Sequence, residues 1–205
     1  MDKLIVISGS DGSGKTTSAL LLASYLSRRS ETSIHWFRGS HMHVSLLYRL
    51  FRKLGILRGE DNPYYGVSIP RKARFPFSLL EFSGILPLFL ARFFKRLVSD
   101  YLVCDRGALD FAIWVSATLN YPEFLRSLLG KFSLSLASRE KPILLTAPPD
   151  ILMARSKTPR AFLYREHVLY EILGKYFSRC VIDTFELSPI EVVARVLKCV
   201  GNQYG

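Results

Sequence analysis

The chain has 205 residues, 49% hydrophobic and 22% charged, which is bulk enough for one large domain and excludes a disordered tail or a repeat array. Lys and Arg number 28 against 17 Asp and Glu, and the net charge of +11 favours anionic partners such as nucleotides, polyphosphates, nucleic acid or acidic lipid without choosing among them. Cys104, Cys180 and Cys199 show no CxxC spacing, so neither a disulfide framework nor a zinc knuckle is indicated, and a reducing, cytoplasmic interior is expected.

The run Leu4 to Ser8 reads as a first strand and is too short for a signal-peptide core. It leads into Gly9-Ser10-Asp11-Gly12-Ser13-Gly14-Lys15-Thr16, a full match to G-x-x-x-x-G-K-[ST], and Lys15 opens a helical pattern to Leu26 in which Ala19, Leu22, Ala23 and Leu26 share a face. Strand, glycine-rich loop and helix in that order form a phosphate-binding loop. Glycines let the backbone wrap a phosphate with several N–H groups pointing inward, and the positive end of the helix faces the anion. Lys15 is placed to reach the β- and γ-phosphates and Thr16 to offer a hydroxyl to Mg²⁺. ATP, GTP and a catalytically idle variant stay open here, although no N-K-x-D guanine motif is visible.

A second strand is expected over Ser33 to Phe37, followed by His41 and His43, which without carboxylate or cysteine neighbours make a poor metal site and read as surface or acceptor-contact groups. Residues 41–100 carry 10 basic against 4 acidic side chains and hold most of the positive excess. Within them Gly55 to Pro76 shows no period and reads as a long basic loop, a candidate for the acceptor side. Trp36, Phe37, Tyr64 and Tyr65 read as packing before stacking. Leu86 to Val98 reads as a helix whose Phe-rich face covers the sheet, with Arg92, Lys95 and Arg96 opposite. The longest apolar run, Ile85 to Ala91, is too short to span a membrane.

A third strand, Tyr101 to Cys104, ends in Asp105 and Arg106. A carboxylate at the carboxyl edge of a parallel sheet suits the Mg²⁺ shell, and the planar fork of an adjacent arginine suits phosphates. After a fourth strand, Ile143 to Thr146, the residues Arg155, Lys157 and Arg160 cluster around Thr158-Pro159 as a cationic lid over a transferring phosphoryl group. A fifth strand, Cys180 to Ile182, precedes a helix punctuated by Ser188, Pro189 and Glu191 at its start and Gly201 at its end. Short apolar strands alternating with helices predict an α/β domain with a parallel sheet. No linker or repeat divides it, so residues 1–205 are read as one domain with a lid at about 155–162 and the basic loop at about 55–76.

The segments Gly9 to Thr17, Val103 to Arg106, Ala147 to Arg155 with Arg160, Tyr176, Val181 to Asp183 and the terminal Glu191 helix resemble the thymidylate kinase family of P-loop nucleoside monophosphate kinases along most of the chain. The resemblance implies a three-layer P-loop kinase fold, a five-stranded parallel sheet in the order 2-3-1-4-5 with helices on both faces and a lid. It implies ATP and Mg²⁺ as cofactors, Gly9 to Thr17 as the donor loop, and phosphoryl transfer to a nucleoside monophosphate, dTMP first. By the same likeness Lys15, Asp105, Arg106, Arg155 and Arg160 are catalytic, Thr16 and Asp105 face the metal, and Asp11, Arg38 and Arg106 face the acceptor. A homodimer is also implied.

Departures from the family pattern fall on the acceptor side: Arg38 is followed by Gly39-Ser40-His41, no Ala-Asp-Arg motif lies between Phe75 and Val98, and Gly107 to Asp110 and Ile113 to Val115 replace a hydroxylated residue and a Tyr-Gln pair. A P-loop kinase acting on another acceptor (a nucleic-acid end, a sugar or a lipid-linked alcohol) is therefore the second reading. A nucleotide-gated nucleic-acid-binding module is the third.

Overall fold

The computed structural model describes residues 4–37 and 39–201, so Arg38 lies outside the described residues. Strands β1 (Leu4–Ser8) and β2 (Thr32–Trp36) are followed by a short β3 (Arg58–Asn62) and by β4 (Tyr101–Asp105), β5 (Ile143–Thr146) and β6 (Cys180–Asp183). All but β3 pair in parallel in the order β2-β4-β1-β5-β6. Counted among the sheet strands alone, this is 2-3-1-4-5.

Parallel strands are covered on both faces, so alternate residues must both be apolar. Ile5, Ile7, Val103, Ile143 and Leu145 pack with Ala19 and Leu22 of α1 (Lys15–Leu26) and Val192, Val193 and Val196 of α8 (Pro189–Gly201). On the other face Leu144 meets Ala108, Leu109 and Ile113 of α4 (Ala108–Thr118), Ala137 of α5 (Leu128–Glu140) and Tyr170 of α7 (Arg160–Phe177). A separate, aromatic-rich core sits between α4, α2 (His43–Leu54) and α3 (Arg74–Val98), built on Phe37, Tyr48, Ile85, Phe111 and Trp114. The expected start of α8 holds: Ser188 Oγ donates to Glu191 Oε2 at 2.6 Å, and the Glu191 N–H donates back to Ser188 Oγ at 3.4 Å.

Three expectations are corrected. Gly55 to Pro76 is not an irregular loop: Arg58–Asn62 and Val67 form a small antiparallel hairpin, a 3₁₀ turn covers Arg71–Ala73, and α3 begins at Arg74. Val67 and Ile69 are buried in the aromatic core, which anchors the segment and presents Tyr64 and Tyr65 at its tip. Cys180 and Cys199 are joined in a disulfide that ties β6 to α8, while Cys104 is a buried free thiol.

The third correction concerns α3, which runs 25 residues and passes through Pro87. Over its second half Arg92 and Lys95 turn inward beside Phe89, while Arg96 stays exposed and most of the expected apolar face points outward. Arg92 is buried, pairs with Glu140 at 2.8 Å and lies over the Phe37 ring, while Lys95 donates to Ile34 O at 2.7 Å. Edge strand β2 has carbonyls without a strand partner, and Lys95 satisfies one of them. Leu86, Leu90, Phe93, Phe94 and Leu97 are 45–65% exposed. By length and composition alone the helix Arg71–Val98 would suffice to cross a membrane, but Glu81 and Arg92 on its inner side are committed to partners within the fold.

Candidate active site

The phosphate-binding loop is wedged between β5 and α6 (Pro149–Arg155). A Cβ on Gly9 would come within 2.1 Å of Leu145 O, and one on Gly12 within 2.5 Å of Leu152 O; both glycines also have left-handed φ values, of 145° and 87°. No other residue fits either position. Lys15 is buried and donates to Ser10 O at 2.7 Å. Burial, then repulsion from Arg106, holds its pKa below the usual lysine range.

Pairing of Ile7 with Asp105 brings the end of β4 beside the loop. Thr16 Oγ1 donates to Asp105 Oδ2 at 2.5 Å, so the two oxygens expected near the metal converge. Mg²⁺ is usually held by one or two protein oxygens together with phosphates and water, and this pair fits that pattern. Among the described residues no group of three or more His, Cys, Asp or Glu forms an alternative metal centre. Arg106 adopts φ 78°, unusual for a residue with a side chain, and this turn sends its guanidinium back to Asp11 at 2.6 Å and Asp105 at 3.5 Å.

Asp11 is a hub. It receives Arg106, the hydroxyl of Tyr64 and the hydroxyl of Thr158 at 3.1 Å, with Lys15 Nζ at 3.9 Å. Burial opposes its charge, yet Lys15, Arg106 and the two hydroxyls together bring its pKa down to about 2. Its backbone N–H donates to Glu166 Oε2 at 3.2 Å; Glu166 is fully buried, and burial followed by the Asp11 charge pushes its carboxyl up to about 7. Tyr64, Thr158 and Glu166 are parts of the site that motif reading did not assign. Thr158 lies inside the basic cluster and Tyr64 among the aromatics that read as packing, while Glu166 has no local signal.

Of the lid arginines, Arg155 donates to Thr184 O at 3.4 Å and Phe185 O at 3.2 Å and lines a cavity of about 280 Å³ with Gly12, Ser13, Thr17 and Leu187. Arg160 and Lys157 are exposed and make no hydrogen bond or ion pair among the described residues. The segment expected to be the lid thus reaches the loop through Thr158 rather than through its outer cations.

On the side expected to take the acceptor, Thr16, Trp36, His41, Asp105 and Arg106 line a cavity of about 400 Å³. The loop after β2 is held by a buried carboxylate: Ser40 N–H and Oγ donate to Glu81 at 3.0 and 2.6 Å, and Trp114 Nε1 donates to Ser40 Oγ at 3.2 Å. Burial raises the Glu81 pKa against those hydrogen bonds. The Trp114 indole lies so close to Gly39 that a Cβ there would meet it at 2.1 Å, and its ring centre is 5.1 Å from that of Tyr64. His41 borders the site as expected, whereas His43 is exposed and hydrogen-bonds Ser83 Oγ at 2.9 Å.

No protein-family model matches the sequence, and no curated protein matches it. Solved structures do. The thymidylate kinase of Candida albicans is 13% identical with a TM-score of 0.61, covering 98% of this chain and 91% of its own. That of Ehrlichia chaffeensis is 19% identical with a TM-score of 0.57, covering 96% of this chain and 97% of its own. Along nearly its whole length, the chain has the fold of the thymidylate kinases.

Proposed function

We propose that the chain catalyses Mg-ATP-dependent phosphoryl transfer to a nucleoside monophosphate, dTMP first, giving the nucleoside diphosphate and ADP. The observation that carries this reading is the meeting of Lys15, the Thr16–Asp105 oxygen pair and Arg106 at the carboxyl edge of β1 and β4. Such transfer needs positioning and charge neutralisation more than covalent chemistry. Backbone N–H groups of Gly9 to Thr17 cradle the donor phosphates, and Lys15 carries its charge to them. Thr16 and Asp105 hold the Mg²⁺, which when bound neutralises charge on the phosphate oxygens. Arg106 faces donor and acceptor phosphates across the 400 Å³ cavity. An acceptor phosphate oxygen attacks the γ-phosphorus as the bond to the β,γ-bridging oxygen breaks and that oxygen leaves as part of ADP; because the attacking oxygen is already anionic at neutral pH, the buried carboxylates are not needed as bases. Arg155 closes the donor side, and Asp11 and Arg38 belong to the acceptor side.

The same reading includes a homodimer. The exposed stripe of α3 repeats with heptad spacing, Leu79, Leu86 and Phe93 alternating with Leu90 and Leu97, and a second copy of that helix is its natural cover. Light scattering on wild type and on Leu90→Glu/Leu97→Glu tests this, a monomeric wild type being the outcome against it. The reading keeps the chain in the cytoplasm, where the Cys180–Cys199 bond persists only if it resists reduction.

ADP production with Mg-ATP and a panel of nucleoside monophosphates, including dTMP, alongside a no-acceptor control, tests the reaction. Stimulation by dTMP supports the reading. Stimulation by none of the monophosphates overturns it.

A further inference from the structure

Past His41 lies a second cavity of about 380 Å³, walled by Tyr64, Tyr65 and Trp114 and lined along α2 by Ser45, Arg49 and Arg52, and the transfer chemistry gives its α2 side no role. Arg49 and Arg52, three residues apart on α2, lie on one side of the helix. Neither forms an ion pair or hydrogen bond among the described residues. No carboxylate lines the cavity: Glu81, beneath it, is buried and holds Ser40 with both oxygens. Two exposed guanidinium groups therefore border an aromatic-walled space with no carboxylate of the described residues lining it. Guanidinium forks suit phosphate oxygens, and the fixed Trp114 indole offers a wall for a sugar or base but only one N–H, already given to Ser40. The two cavities share His41, so one acceptor can extend from Arg106 into the arginine-lined space.

We propose that this cavity binds a second phosphate or phosphodiester group, carried by the acceptor at the end away from the reacting phosphate. The acceptor class is then a nucleotide phosphorylated at both ends. The inference rests on the phosphotransferase reading for where the reacting phosphate sits, but its binding component is tested separately.

The test compares dTMP, thymidine 3′,5′-bisphosphate and 5′-phosphorylated dithymidylate, by calorimetric binding without ATP and by kcat/KM with Mg-ATP. Wild type is set beside Arg49→Ala/Arg52→Ala, exposed substitutions that leave the core untouched. The bisphosphate is expected to bind about tenfold tighter than dTMP, the effect of one charge-assisted phosphate contact. The double variant loses that advantage and keeps its dTMP affinity. A bisphosphate preferred over the dinucleotide identifies a terminal phosphate as the ligand; the reverse identifies a phosphodiester. Equal affinity for dTMP and bisphosphate, an advantage that survives in the double variant, or no binding of the bisphosphate overturns the proposal. Tight, arginine-dependent binding without turnover of any of the three would instead overturn the kinase reading and leave the anion site standing.

Discussion

Thr158 and Asp11, 147 residues apart in sequence, meet through a hydrogen bond of 3.1 Å from the Thr158 hydroxyl to Asp11 Oδ2, the same oxygen that accepts the Tyr64 hydroxyl. The turn before α7 and the tip of the β3 hairpin are thereby fastened to one carboxylate oxygen in the glycine-rich loop. Removing either hydroxyl leaves the other to satisfy that oxygen, so Tyr64→Phe and Thr158→Val should each cost about 1 kcal/mol. Together they strip it of both hydroxyl donors, and the double variant should cost more than the sum, by about another 1 kcal/mol. A double-mutant cycle in urea checks this; strict additivity would show that lid and hairpin are not coupled through Asp11.

Lys15→Ala and Asp105→Asn address the centre of the proposed reaction. Lys15 acts on charge in the site, and Asp11 keeps Arg106 as its partner when the lysine is removed, so the fold should persist. Turnover should fall by about 10²- to 10³-fold in each, with the thermal transition retained. Wild-type turnover in Lys15→Ala would remove the mechanism.

These four residues were legible because their signal is local: Gly9 to Thr16 carries its own spacing, and Asp105-Arg106 ends a strand whose burial on both faces leaves a continuous apolar run. The hairpin was not legible. Asn62 is the only buried residue of Arg58–Asn62, and the apolar anchors Val67 and Ile69 come after the turn. The sequence pattern starts the helix only at Leu86 and counts Pro76 in the loop, yet α3 begins at Arg74: Pro76 falls in its first turn, where a missing N–H costs little, and Pro87 is accommodated mid-helix. The orientation of α3 depends on Glu140 and Ile34 O, both distant in sequence. The spacing of Cys180 and Cys199 says nothing about their meeting; α8 must first pack back onto β6.

Arg155 separates two roles for the lid. Its hydrogen bonds run to the backbone after β6, at Thr184 and Phe185, where it forms a wall of the 280 Å³ cavity beside the loop. A wall residue contributes to ground state and transition state alike, so Arg155→Ala should raise KM for ATP by about tenfold and change kcat less. Steady-state kinetics at saturating acceptor decides. A fall in kcat at constant KM would mean that the lid swings Arg155 onto the transferring phosphoryl group.

Glu166 gives a pH signature of its own. With its carboxyl pushed up to about 7 in the folded chain against an ordinary 4.5, the native state resists an ionisation that the unfolded chain undergoes freely. Stability from this group is therefore complete below about pH 4.5 and is lost as pH rises through about 7, an effect on the order of 2 to 3 kcal/mol. Asp11, held down to about 2, behaves in the opposite sense, losing its contribution only as pH falls below the ordinary carboxylate range. The two windows do not overlap between pH 5 and 8. Glu81, Asp110 and Glu140 also have raised values, but they are common to wild type and variant and cancel in the comparison. Urea midpoints of wild type and Glu166→Gln at pH 5 and pH 8 should therefore diverge, wild type losing stability relative to the variant at the higher pH. Parallel profiles would mean that Glu166 stays ionised throughout, held by Lys15 and Arg106 despite its burial.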